Sequence, residues 1–202
     1  PSGTYLPNTP DQWQSVTVRQ LLSHTAGLSE EVYTSGLRTL KTPSKFLAEA
    51  SEDALDFAPG DAWMYSNTGY ALAAMIISEV SGQSLPEFME RRLFDPLDMS
   101  HTDVISESYD FSNRATGYRW VRDQLQAHPF DVVTPGIMPI LYGAGSMTST
   151  VLDLARWEIA FQKGQVLAPA LQAEMVQPVT LNSGRHFENG LGWLLDDVNG
   201  QQ

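Results

Sequence analysis

Ala58-Pro59-Gly60-Asp61-Ala62-Trp63-Met64-Tyr65-Ser66-Asn67-Thr68-Gly69 is the stretch whose reading decides the fold. Proline presets φ for the second position of a turn, and glycine accepts the positive φ that a type II turn needs at the third, so the chain is expected to reverse at Pro59-Gly60. It then runs briefly extended through Trp63 and presents Tyr65, Ser66 and Asn67 just before a long apolar helix. A phenol and a carboxamide would project from one fixed loop.

That loop has two readings. In the first, Ser66 or Asn67 caps the following helix, because their side-chain oxygens satisfy backbone donors that the first turn leaves without partners. In the second, Tyr65 and Asn67 form a catalytic Tyr-x-Asn. The tripeptide alone does not decide between them.

Outward from this stretch, the pattern is mostly helical. Over 68–81, Leu72, Met75, Ile76 and Val80 recur at the spacing of one buried face, and Gly82 stands where a left-handed C-terminal residue belongs. Ser84-Leu85-Pro86-Glu87 matches a capping box and starts a second helix, with Leu85, Phe88, Met89 and Leu93 inward and Arg91-Arg92 outward, ending near Asp95-Pro96. Upstream, residues 1–15 form a polar, proline-rich lead-in. Thr17 caps a short helix through Ser23, with Val18, Leu21 and Leu22 on one face. His24 follows it and is read as a structural hydrogen-bonding residue, given the donors and acceptors a helix end leaves open. Residues 29–41 lack a period and read as loop, and 43–49 as a helix with Phe46, Leu47 and Ala50 inward.

Downstream, 106–142 is the least readable region, with a strand at Tyr118-Arg119-Trp120-Val121. Gly143-Ala144-Gly145-Ser146 is flexible backbone that permits close approach by a ligand. It lacks the Lys-Ser/Thr ending of a phosphate-binding loop. Ser149 or Thr150 caps a helix through Lys163, with Leu152, Ala155, Ile159 and Ala160 inward, and 169–176 adds a short one. Gly190-Leu191-Gly192-Trp193-Leu194-Leu195 reads as a buried strand, and Asn199-Gly200 is a strong hairpin signal, so the partner strand is expected beyond Gln202.

Composition removes several classes. With 42% hydrophobic residues over 202, disorder is not the default. Net charge of −12, from 12 basic and 24 acidic residues, argues against nucleic acid and anionic membranes as partners. The longest apolar run, Ala71 to Ile77, falls far short of the ~20 residues needed to span a bilayer. Zero cysteines exclude disulfides, thiolate metal sites and a cysteine nucleophile. The four histidines, His24, His101, His128 and His186, are scattered, and His101-Thr102-Asp103 is not a metal site.

Three segments in order carry a resemblance. Val16-Thr17-Val18-Arg19-Gln20-Leu21-Leu22-Ser23-His24-Thr25-Ala26-Gly27-Leu28, then Pro59-Gly60 to Tyr70, then Gly143 to Thr150 with Asp153-Leu154-Ala155-Arg156, resemble the penicillin-recognising serine hydrolases, in their class C β-lactamase, DD-peptidase and esterase branch. Two motifs of that family are missing. No Ser-x-x-Lys occurs; Thr42-Pro43-Ser44-Lys45 carries Thr instead and reads as a helix start. No Lys/His-Thr-Gly occurs either, and Ser183-Gly184-Arg185 is a loop without the required Thr.

The resemblance implies an α+β fold, mainly helical here: a helical subdomain plus part of the α/β sheet domain, one domain truncated at both ends. It implies no cofactor, a small-molecule or peptidoglycan-like substrate, and a periplasmic or secreted location. A serine hydroxyl, outside these residues, would attack a lactam, peptide or ester carbonyl and form an acyl-enzyme. Tyr65 would relay the proton, and a phenol, with an ordinary pKa near ~10, serves as base only where cations stabilise the phenolate. Asn67 would orient the substrate, and Gly143, Gly145 and Ser146 would border it. The alternatives are a non-catalytic ligand-binding module and an interaction module that keep the fold.

Overall fold

The computed structural model describes residues 1–6, 8–30, 32, 42–105, 115–128, 143–145 and 147–196. Helices come first and dominate. They are α1 (Val18–Leu22), α2 (Pro43–Ala50), α3 (Asn67–Ser81), α4 (Leu85–Met89), α5 (Val151–Gln162) and α6 (Pro169–Met175). Among the described residues, strands form three antiparallel pairs: β1 (Asp103–Val104) with β4 (Met147–Thr148), β2 (Gly117–Val121) with β3 (Gln124–His128), and β5 (Val179–Thr180) with β6 (His186–Phe187). The fold is therefore mixed α and β and mainly helical.

The helix starts are where local chemistry puts them. Thr17 and Gln20 form a capping box at α1, Ser84 and Glu87 form another at α4, and the Thr42 hydroxyl accepts the Lys45 N–H at α2. After α4 the chain continues as a π-helical turn, Glu90–Phe94, and a 3₁₀ turn, Asp95–Leu97, so the second predicted helix is three short pieces.

α3 sits between two apolar clusters. Its Leu72 and Ile76 meet Trp13, Leu21, Leu28 and Phe46, and its Ala74 meets Leu85, Phe94, Met99 and Val104. Each fully buried Leu or Phe is worth roughly 1.5–3 kcal/mol, so a helix packed on two sides is held far more firmly than one with a single stripe. Its first half is buried nearly all round, whereas Val80 is 65% exposed, contrary to the single-face expectation. The lead-in is no loose arm either. Leu6 and Trp13 enter the core, and Ser2 donates to the Val16 carbonyl from both its N–H and its hydroxyl.

Two further expectations are corrected. On α5 the inward face is Asp153, Ala160 and Phe161, with Trp157 partly buried, and Leu152 and Ile159 are exposed. Asp153 sets that rotation. It is fully buried and accepts the His101 N–H at 2.8 Å, the Thr102 hydroxyl at 2.9 Å and the Arg156 guanidinium at 2.6 Å. Burial alone would raise its pKa, but these donors hold the carboxyl below the usual range. At the other end, residues 190–195 are not a buried strand. A single bridge joins Asn189 to Leu194, and Leu194 is 82% exposed, because Gly192, at φ 82°, turns the chain back on itself. Asn199-Gly200 lies outside the described residues.

No described helix is long and apolar enough to cross a membrane.

Candidate active site

The turn at Pro59-Gly60 forms as the sequence requires. The Asp61 N–H donates to the Ala58 carbonyl at 2.9 Å, and Gly60 adopts φ 90°. Asn182, just after β5, clamps it: its backbone N–H donates to the Gly60 carbonyl at 2.8 Å and its amide to Asp61 at 2.7 Å. The extended run beyond is held on the segment after α1, with the Gly60 N–H on the Thr25 carbonyl and the Met64 N–H on the His24 carbonyl.

Ser66 is the N-cap of α3. Its hydroxyl accepts the Gly69 N–H at 3.0 Å and donates to Glu30 at 2.8 Å. Glu30 also accepts the Thr68 N–H at 2.8 Å and the Asn67 side-chain amide at 3.0 Å. A carboxylate at a helix N-terminus is doubly favoured, by the orphan donors and by the helix dipole. The capping reading therefore holds for Ser66.

It does not exhaust the loop, because Tyr65 points the other way. Its ring is 57% exposed and lines a cleft of ≈ 450 Å³. His24, Trp63 and Tyr70 form the adjoining wall, and Gly143, Ala144, Gly145, Asn189 and Trp193 face them. His24 lies between two phenols, its ring centroid 4.7 Å from Tyr65 and 5.0 Å from Tyr70. Burial drives the imidazole toward its neutral form, lowering its pKa against the opposing pull of Glu30. The Tyr70 hydroxyl donates to the Leu22 carbonyl at 2.9 Å, and burial, then the nearby Tyr65, push its pKa up to about 12.

Gly143 and Gly145 serve different purposes. Gly143, at φ 87°, lies so close to α3 that an added Cβ would stand 2.6 Å from the Tyr70 carbonyl oxygen, whereas Gly145 faces open space. Both also border a second, apolar cavity of ≈ 270 Å³ on the far side of Tyr70. None of the described residues lining the first cleft is Lys or Arg.

Of the residues singled out by sequence, Tyr65, Gly143 and Gly145 come together at this cleft. Asn67 stands behind it, at the first turn of α3, with its amide on Glu30. Ser146 lies outside the described residues. His24 is hydrogen-bonded, as read, but also forms part of the cleft wall. Glu30 went unnoticed, since nothing in 29–41 marks one acidic residue as the partner of a loop 36 residues away. Asn189 is likewise unmarked, and Trp193 is read from sequence as part of a strand and not as a cleft residue. Among the described residues no group of three or more His, Asp or Glu could hold a metal ion.

The fold, with a helix buried on two sides and a Tyr-Ser-Asn turn at its start opening on a cleft, is of the β-lactamase/transpeptidase-like class, as the likeness to solved structures shows. The chain belongs to the beta-lactamase family, whose model matches residues 1–202. It is 31% identical to a penicillin-binding protein of Bacillus subtilis (strain 168), over 96% of this chain and 45% of that protein. It is 29% identical to a beta-lactamase of Escherichia coli (strain K12), over 98% of this chain and 50% of that one. Among solved structures, a D-stereospecific amidohydrolase from Streptomyces sp. superposes with a TM-score of 0.76 at 28% identity, covering 100% of this chain and 64% of the other. The chain thus spans about half the length of the curated relatives it matches.

Proposed function

We propose that these residues form the tyrosine-bearing wall of a serine hydrolase cleft that cleaves a lactam, peptide, amide or ester carbonyl through an acyl-enzyme, with the nucleophilic serine supplied from sequence outside 1–202. The observation that carries this reading is Tyr65, exposed at the cleft on a loop fixed by a type II turn on one side and a buried helix on the other. As the serine oxygen bonds to the carbonyl carbon, its proton passes to the Tyr65 phenolate, and the phenol then returns it to the departing nitrogen or oxygen. Water releases the acyl group by the reverse route. The charge that stabilises the phenolate is assigned, with the serine, to the same outside segments. Gly143 and Gly145 border the substrate, and Asn67 acts from behind the loop.

The test has two parts. The 202-residue chain, incubated with a fluorescent penicillin, is expected to form no covalent adduct, and a labelled serine would place the nucleophile inside it. In the longer enzyme, Tyr65→Phe is expected to lower kcat by about 10²-fold or more, the scale of general acid–base help. Unchanged turnover would remove Tyr65 from the mechanism.

A second reading, a ligand-binding module without turnover, draws on the position of Asn67, whose amide is engaged by Glu30 and not by the cleft. Saturable protection by ligand with no product in the longer protein would favour it.

A further inference from the structure

His24 holds the peptide on both sides of Tyr65. Its carbonyl accepts the Met64 N–H at 3.0 Å, and its ring Nδ1 accepts the Ser66 N–H at 3.0 Å. The ring itself lies against the Tyr65 phenol, tilted 33° at 4.7 Å. One residue thus fixes the position before Tyr65, the position after it, and the face of its ring. The backbone conformation is what permits this. His24 adopts φ 59°, a left-handed value uncommon outside glycine, and so turns its carbonyl and its imidazole toward the same extended segment. Strain of this kind persists only where the surroundings over-determine it, as three contacts with one loop do here.

We propose that His24 is the positioning residue for Tyr65 and that only the neutral imidazole, with its proton on Nε2, can hold the phenol at the cleft. An Nδ1 that accepts a backbone N–H carries no proton. Protonation there sets two N–H groups against each other and breaks the bond to Ser66, so that His24 keeps only its carbonyl bond to the Met64 N–H, while Ser66 stays on Glu30 and Gly69. Among the described residues, the titratable groups that face the ring are Tyr65, Tyr70 and Glu30. The Glu30 carboxylate is the charge that draws a proton toward the imidazole. Acid is therefore expected to unclamp Tyr65 without unfolding the helix behind it. The catalytic consequence rests on the function proposed above; the clamp itself does not.

The experiment needs no turnover. In the 202-residue chain labelled uniformly with nitrogen and carbon isotopes, nuclear magnetic resonance follows the His24 ring nitrogens, the Tyr65 ring and the Ser66 amide from about pH 8 to about pH 4, through the ordinary imidazole range and below it, where burial moves His24. His24 is expected to be the Nε2–H tautomer at the upper end. As it protonates, the Ser66 amide loses protection against hydrogen exchange and the cross-relaxation between the His24 and Tyr65 rings weakens with the same midpoint, while the buried Trp13 stays fixed. His24→Asn tolerates positive φ and keeps an acceptor but does not titrate. It is expected to hold the Ser66 amide protected across the range. A proton on Nδ1 at the upper end, or a Ser66 amide indifferent to the His24 midpoint, would overturn the proposal, and the native titration decides this even if the variant fails to fold. If the clamp responds as stated yet Tyr65→Phe leaves turnover of the longer enzyme unchanged, His24 positions a residue that is not catalytic, and only the enzymatic reading falls.

Discussion

Glu30 Oε1 lies 2.8 Å from the Thr68 amide nitrogen and 2.8 Å from the Ser66 hydroxyl, so one carboxylate oxygen takes two donors at the first turn of α3 while its twin takes the Asn67 amide. Removing the acceptor leaves those groups partly buried without it. Glu30→Ala is expected to lower stability by about 1–3 kcal/mol, the cost of unsatisfied donors, and Glu30→Gln, which keeps one acceptor oxygen, by less. Urea denaturation measures both. An alanine variant with an unchanged midpoint would show that water replaces the carboxylate at no cost.

Gly143 brings the cleft's far wall up against α3. An alanine there places its Cβ 2.6 Å from the Ala74 Cβ and 2.6 Å from the Tyr70 carbonyl oxygen, at a φ of 87°. Gly143→Ala is expected to cost about 1–3 kcal/mol, from overpacking and a left-handed backbone together. Adding Ala74→Gly removes one clash but neither the carbonyl nor the φ, so the double variant recovers only part. Full recovery in thermal unfolding would mean that the wall shifts freely on the helix.

What sequence revealed of this molecule is what neighbouring residues settle among themselves. The reversal at Pro59-Gly60 and the caps at Thr17, Thr42, Ser66 and Ser84 are each closed by bonds spanning a few residues. The site was half legible for the same reason: Tyr65 stands in a locally determined loop, while the residues that brace it, His24 and Glu30, arrive from 42 and 36 residues away from Ser66. The β2–β3 hairpin illustrates a different blindness. Its turn is Arg122-Asp123, both at positive φ without glycine, so the usual signal for a two-residue turn is missing. On α5, apolar periodicity pointed the wrong way because one buried carboxylate outweighs Leu152 and Ile159 in setting the rotation.

Tyr70 gives a pH dependence whose sign can be worked out. Its folded pKa is raised from 10.0 to about 12, so the native state keeps a proton that the unfolded chain releases. That contribution to stability is fully present below about pH 10 and is lost as pH rises toward about 12, because the unfolded state binds fewer protons there. Tyr70→Phe removes the titration along with the bond to the Leu22 carbonyl. The stability difference between the native protein and this variant is therefore expected to shrink between about pH 10 and about pH 12. A difference that stays constant across that range would mean Tyr70 ionises as readily in the folded chain as in the unfolded one.

The rotation of α5 separates two accounts of the same helix. If apolar spacing ruled, Leu152 and Ile159 would be core residues, and truncating them would cost several kcal/mol. Both are exposed, and Phe161, packed 5.1 Å from the Trp193 ring, is the buried one. Leu152→Ser and Ile159→Ser are accordingly expected to change stability by no more than about 0.5 kcal/mol, the range of surface substitutions. Phe161→Ala is expected to cost about 3–5 kcal/mol, from lost transfer energy and the cavity left beside Trp193. Chemical denaturation of the three variants in the 202-residue chain reads the contrast directly. The reverse order would mean that the helix is turned so that Asp153 faces solvent, and the hydrogen bonds from His101, Thr102 and Arg156 would then have no acceptor.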